Sequence, residues 1–96
     1  MLKRNHLRQF IAVAETGGFT SAARALNLTQ PTLSAGIAEL ERIVGAPLLR
    51  RERRQVRLTP AGVRLLAHAR AIEREFRLAE SPAGDLPGPR PPLRLG

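Results

Sequence analysis

Apolar positions along the chain fall into four stretches of helical period, interrupted once by a short span of a different pattern. Leu7, Phe10, Ile11 and Ala14 stand at i, i+3, i+4 and i+7 and predict a first helix over about residues 4–16. Gly17-Gly18 stops it, because two glycines in sequence weaken helix and permit a left-handed exit. Thr20 is read as the N-cap of a short second helix over about 21–26, with Ala22, Ala23 and Leu26 facing inward. Asn27-Leu28-Thr29 then makes a three-residue break, in which Asn tolerates left-handed backbone. Thr29 caps a third helix whose first turn contains Pro31, where a missing N–H does no harm. In that helix Leu33, Ile37, Leu40 and Val44 lie within about 40° of the Leu33 direction, so one face alone is apolar. Gly45 ends it.

The differently patterned span is Leu48-Leu49-Arg50 followed by Val56-Arg57-Leu58, two short strands around an arginine-rich tip. Thr59-Pro60 supplies an N-cap and a proline at the first helical position of a last helix, about 60–79. Leu65, Ala69, Ile72 and Phe76 form its stripe, and its length of roughly 30 Å overhangs a domain this small. Leu65 is expected on its own domain's core, and Ile72 and Phe76 on a second copy of the chain. Residues 81–92 hold five prolines and two glycines and read as a linker. Leu93-Arg94-Leu95-Gly96 alternates like the start of a strand, so the chain reads as a piece of a longer protein.

Composition narrows the function classes. At 96 residues the chain has room for one modest core. No stretch approaches the roughly 20 apolar residues of a membrane span. The polar N-terminus lacks a small-residue cleavage site, so no signal peptide is read and a cytoplasmic location is expected. Absence of cysteine excludes disulfides and thiolate metal sites. His6 and His68 stand sixty-two positions apart with no motif partner, and Ser34 has no adjacent base; no metal, cofactor or catalytic group is expected. Charge points elsewhere. The formal net charge is +8, and Arg50, Arg51, Arg53, Arg54 and Arg57 against Glu52 put half of it within eight residues.

Two short helices joined by a three-residue turn, the second apolar on one face, describe a helix-turn-helix over about 20–44. With Leu33 inward, residues 31, 35, 38 and 42 point outward. The base-reading candidates are therefore Gln30, Pro31, Thr32, Ser34 and Ala35: an amide suits adenine, hydroxyls suit a base or phosphate, and small apolar groups suit a thymine methyl. N–H groups at the helix start suit a phosphate. Backbone contacts are assigned to Thr20, Ser21, Thr29 and Arg42, and to Arg51, Arg53 and Arg54 of the hairpin, read as a wing. The expected fold class is thus mainly α: a winged helix-turn-helix with a small β-hairpin and a long C-terminal helix.

The run Phe19-Thr20-x-Ala22-Ala23-x-x-Leu26-x-Leu28-Thr29-Gln30-Pro31-Thr32-Leu33-Ser34, then Ile37-x-x-Leu40-Glu41, Gly45-x-Pro47-Leu48-Leu49 and Val56-x-Leu58-Thr59-Pro60-Ala61-Gly62, resembles the LysR-type transcriptional regulators over residues 1 to about 80. The resemblance implies a prokaryotic regulator with a DNA-binding domain at 1–59 and a linker and dimerisation helix at 60–80. It also implies that the proline-rich 81–96 opens an effector-binding domain, which takes the small molecule. The implied partners are an inverted-repeat operator in double-stranded DNA and a second copy through Leu65, Ala69, Ile72 and Phe76, with tetramers in the full-length protein. Leu33-Ser34-Ala35-Gly36-Ile37 is similar to the peroxide-sensing OxyR-like branch. Two departures stand out. Ala35-Gly36 and Ala38 occupy places where the family often carries Arg and polar residues, which removes long donors from mid-helix. At the wing tip Glu52-Arg53 replaces the family's usual Thr followed by Gly or Ser, bringing a carboxylate near phosphate.

Two other classes compete. A basic coating protein without sequence preference fits the charge, but the small, uncharged start of the third helix argues against a purely electrostatic role. A winged helix that docks an acidic protein predicts no duplex binding at low salt.

Overall fold

A computed structural model of the chain describes residues 1–53 and 55–81; Arg54 and the proline-rich 82–96 lie outside the described residues. The elements are α1 (Arg4–Thr16), α2 (Phe19–Leu26), α3 (Gln30–Val44), β1 (Leu49–Glu52), β2 (Gln55–Leu58) and α4 (Pro60–Glu80). The predicted order and fold class hold, and backbone chemistry explains the turns. Gly17, Asn27 and Gly45 each close a helix in left-handed conformation, at φ 81°, 59° and 83°. Both proline-led helices start under a threonine: Thr29 Oγ1 accepts from Thr32 N–H, and Thr59 Oγ1 from Gly62 N–H.

One boundary differs. α2 begins at Phe19, two residues before the expected start, with Gly18 rather than Thr20 at its N-cap. Gly18 is extended there, and the Thr20 hydroxyl is engaged by Gln30 instead.

α1 lies at the centre of the domain, with α2, α3 and α4 packed around it. Phe10, Val13, Leu33, Leu40 and Leu48 are the largest fully buried side chains, joined by Ala22, Ala23, Ile37 and Leu66. The predicted stripe of α3 is buried except for Val44, which is 41% exposed. Val44 is the last helical residue, and Gly45 turns the chain away beyond the reach of α1.

The hairpin pairs antiparallel with Leu49 opposite Leu58, Arg50 opposite Arg57, Arg51 opposite Val56 and Glu52 opposite Gln55. Val56 N–H donates to Gly17 O at 3.1 Å, which ties β2 to the α1 exit. The Glu41 carboxylate accepts from the Leu48 and Leu49 N–H groups at 2.7 and 3.2 Å and so anchors the start of β1 to α3. Thr59 N–H returns to Leu48 O at 3.0 Å. Gly62 lies so close to the same carbonyl that a Cβ would come within 2.2 Å of it.

α4 is held to α1 by Arg4, whose guanidinium donates to both oxygens of Glu73 at 2.9 and 3.3 Å and to Glu80 at 3.3 Å. It also lies 4.3 Å from the Phe76 ring centroid. These carboxylates raise the Arg4 pKa, the hydrogen bond to Glu73 being the largest cause. At 21 residues α4 is roughly 32 Å long, and its buried residues, Gly62, Leu66 and Ala69, all lie in the first half, while the second half is tied to α1 by polar contacts.

Candidate nucleic-acid interface

The exposed start of α3 is built by two threonines. Thr29 donates its hydroxyl to Thr32 Oγ1 at 2.8 Å while accepting from Thr32 N–H at 3.2 Å, which closes the first turn. Thr20, the second residue of α2, accepts a hydrogen bond from the Gln30 side-chain nitrogen. A glutamine amide has two N–H donors and a carbonyl acceptor. One donor is spent on Thr20, so one donor and the acceptor remain for the pairing that adenine presents in the major groove.

Gln30, Pro31, Thr32 and Ala35 are exposed and Ser34 is half-buried, so all five base-reading candidates share one surface. Gly36 does not belong to it. A Cβ there would stand 1.9 Å from Gln9 Oε1, so Gly36 faces α1 and serves the close approach of α1 and α3. The outward loss of long donors in mid-helix comes from Ala35 and Ala38, both exposed.

The start of α3 is a poorer anion site than expected. Pro31 has no N–H and Thr29 consumes that of Thr32, leaving Gln30 N–H among the first three positions. α2 offers more: its Gly18 N-cap makes no side-chain hydrogen bond, its first turn has no acid, and Thr20 and Ser21 are exposed.

The positive charges differ in how they are engaged. Arg42 pairs with Glu39 on the outer face of α3, which raises the arginine's pKa and lowers that of the glutamate through the hydrogen bond between them. Arg57 pairs with Glu52 at 2.9 Å across the hairpin. The carboxylate at the wing tip is therefore neutralised by an arginine already present. Arg50 and Arg57 share the outer face of the hairpin and are both exposed, an arginine pair that sequence reasoning left out of the contact set. Strict alternation along the two strands was the signal that could have found them.

Arg51 stands on the opposite face, with Leu49, Val56 and Leu58, and its guanidinium carbon lies 4.2 Å from the Phe19 ring centroid. Arg53 begins a two-residue tip at φ 54°, a conformation costing a non-glycine residue about 1 kcal/mol. This explains the glycine common at that place in the resembling family. Arg54 lies outside the described residues.

The dimer stripe divides. Ala69 is fully buried within the chain, against its expected place on a partner surface, and Leu65 is half-buried against the core, as expected for its own domain. Ile72 and Phe76, further along α4, remain 37% and 41% exposed.

A three-helix core with α2–turn–α3 outward and a basic hairpin beside it defines a winged helix-turn-helix DNA-binding domain. The family model for bacterial regulatory helix-turn-helix proteins of the lysR family matches residues 4–63. The chain belongs to the LysR family and is the DNA-binding domain of a transcriptional regulator of that kind. It is 49% identical over 71 residues to the Hca operon transcriptional activator HcaR of Escherichia coli, covering 74% of this chain and 24% of the relative. It is 44% identical over 90 residues to a probable hydrogen peroxide-inducible genes activator of Mycobacterium avium, covering 94% and 28%. The CbnR DNA-binding domain in complex with DNA superposes with a TM-score of 0.78 at 36% identity, over 81% of this chain and 90% of that one. The BenM DNA-binding domain on benA site 1 DNA gives 0.78 at 37% identity, over 81% and 91%. The chain spans about a quarter of the length of the curated relatives it matches.

Proposed function

We propose that the chain reads a specific inverted-repeat site in double-stranded DNA as a dimer, on behalf of a cytoplasmic bacterial regulator. α3 lies in the major groove, with Gln30, Pro31, Thr32, Ser34 and Ala35 against base edges. Thr20, Ser21, Thr29, Arg42 and the wing arginines Arg51, Arg53 and Arg54, joined by Arg50, grip the phosphates. The observation that carries this reading is Gln30 held by Thr20 with one donor and one acceptor left over. A side chain fixed in advance loses little rotamer freedom on binding.

Residues 1–59 act as the reading head and 60–80 as the helix that brings two heads together through Ile72 and Phe76. Residues 81–96 lead into an effector-binding domain that senses a small molecule and sets the assembly of the whole regulator. Two heads about one helical turn apart, or a multiple of it, match two half-sites on one face of the duplex.

Selection of duplexes from a random library tests this reading, with the chain at physiological salt. An enriched inverted repeat is expected. Gln30→Ala is expected to cost roughly 1–3 kcal/mol on that sequence and little on a scrambled one. Equal losses on both duplexes would return the chain to the class of basic coating proteins.

A further inference from the structure

Among the described arginines of α3 and the wing, Arg51 alone combines an aromatic support with a place beside the reading surface. Arg42 and Arg57 are bound to Glu39 and Glu52. Arg51 makes no ion pair with a described residue, and its guanidinium stacks on Phe19 at 4.2 Å. The hairpin register turns it away from the outer face that carries Arg50 and Arg57 and towards the body of the domain. There it lines a shallow pocket of about 120 Å³ with Phe19, Ser34, Ala38, Glu41 and Leu49. Ser34 is a base-reading candidate, and Ala38 is one of the small residues that leave the middle of α3 without a long donor.

The support is itself fixed. Phe19 is the first residue of α2 and packs against the hydrophobic core. Glu41 holds the two N–H groups that open β1, so the strand carrying Arg51 cannot drift from α3. A planar guanidinium on an aromatic face loses less freedom on meeting a phosphate than an unsupported cation on a flexible stem.

We infer that Phe19 is a positioning residue for DNA binding: it holds the Arg51 guanidinium at the seam between α3 and the wing, poised to clamp the phosphate bordering the groove that α3 reads. Arg51 thereby acts as a preset donor at mid-helix, where Ala35 and Ala38 supply none. Arg53, at the tip, contributes only its charge. This inference rests on the DNA-binding reading above.

The test is titration of the duplex recovered by selection, followed by fluorescence anisotropy over a series of salt concentrations, with a thermal melt of each variant. Arg51→Lys keeps the charge but loses the planar stack. It is expected to bind roughly three- to tenfold more weakly with an unchanged salt slope and unchanged melting temperature. Arg51→Ala is expected to lose more and to lower the slope by about one. Phe19→Tyr keeps the platform and should bind as the unaltered chain does. Phe19→Leu should match Arg51→Lys, and the double variant Phe19→Leu/Arg51→Lys should lose no more than either single change. Wild-type affinity in Arg51→Lys, or losses that multiply in the double variant, overturn the inference while leaving DNA binding intact. Should Phe19→Leu unfold, Arg51→Lys and Phe19→Tyr decide the matter alone. Failure of the unaltered chain to retain any duplex overturns the DNA-binding reading, and this inference with it.

Discussion

Single atoms decide much of this domain. The missing side chain of Gly62 is one: it lets the first turn of α4 rest on the Leu48 carbonyl, where a Cβ would come within 2.2 Å of a backbone oxygen that cannot yield. Gly62→Ala is therefore expected to destabilise by roughly 1–3 kcal/mol despite alanine's better helix propensity, measured as a lower urea midpoint. Glu39 works in the other direction. Its carboxylate occupies Arg42 and would sit close to phosphate, and the ion pair keeps its pKa below the ordinary carboxylate value. The pair thus persists above the usual carboxylate range and breaks only when pH falls through that lowered value. Glu39→Gln at neutral pH releases Arg42 and removes a negative charge. Duplex affinity is expected to rise about two- to fivefold with a steeper salt dependence, read by anisotropy.

Among the elements, the wing depends on its neighbours as well as on its own pairing. A two-stranded hairpin is at best marginally stable alone. This one is secured at its open end by the Glu41 carboxylate and by Thr59, and further along β2 by Val56 N–H on Gly17 O. Glu41→Ala leaves two strand-start N–H groups without their acceptor and should cost about 1–3 kcal/mol. Faster hydrogen exchange confined to the Leu48 and Leu49 amides and the hairpin would show it, with the α1 amides little changed. Helix starts and stops were legible in the chain because they rest on local chemistry. Thr29-Gln30-Pro31, Thr59-Pro60, Gly17, Asn27 and Gly45 each act on their own turn. The start of α2 was misjudged because Thr20 had two uses, and only the approach of Gln30 from α3 shows which one prevails.

At the scale of the described residues the molecule is a helix-turn-helix head and a long α4, and α1 couples the two. Arg4 joins Glu73, Glu80 and Phe76, and Arg70 reaches Glu15 at 3.5 Å, so α4 is set relative to α1 from Arg70 to its last residue. In the proposed dimer this rigid mounting carries the spacing between two copies of α3. Ile72 is the cleaner residue to alter, since Phe76 also serves Arg4 inside the chain. Ile72→Glu should leave helix content and melting of the head nearly intact while shifting the chain to monomer in sedimentation. Affinity for an inverted repeat should then fall towards that for a single half-site, because the second contact is no longer held nearby.

The sequence by itself determined the element order, the threonine caps of α3 and α4, the apolar face of α3 and, through Leu33, the outward set that begins at Gln30. Periodicity and turn chemistry act within a few residues, and family spacing added the likeness to known regulators. Tertiary structure alone decided which charges are engaged and which glycines are packed. Glu52 meets Arg57 across a strand pair, Gly36 meets Gln9 from another helix, and Arg51 finds Phe19 thirty-two positions away. Ala69 passed from the expected partner surface to the core for the same reason. Gly36 and Gln9, and Arg51 and Phe19, lie far apart in the chain and meet only through the packing of elements, whereas Glu52 and Arg57 meet through the hairpin register.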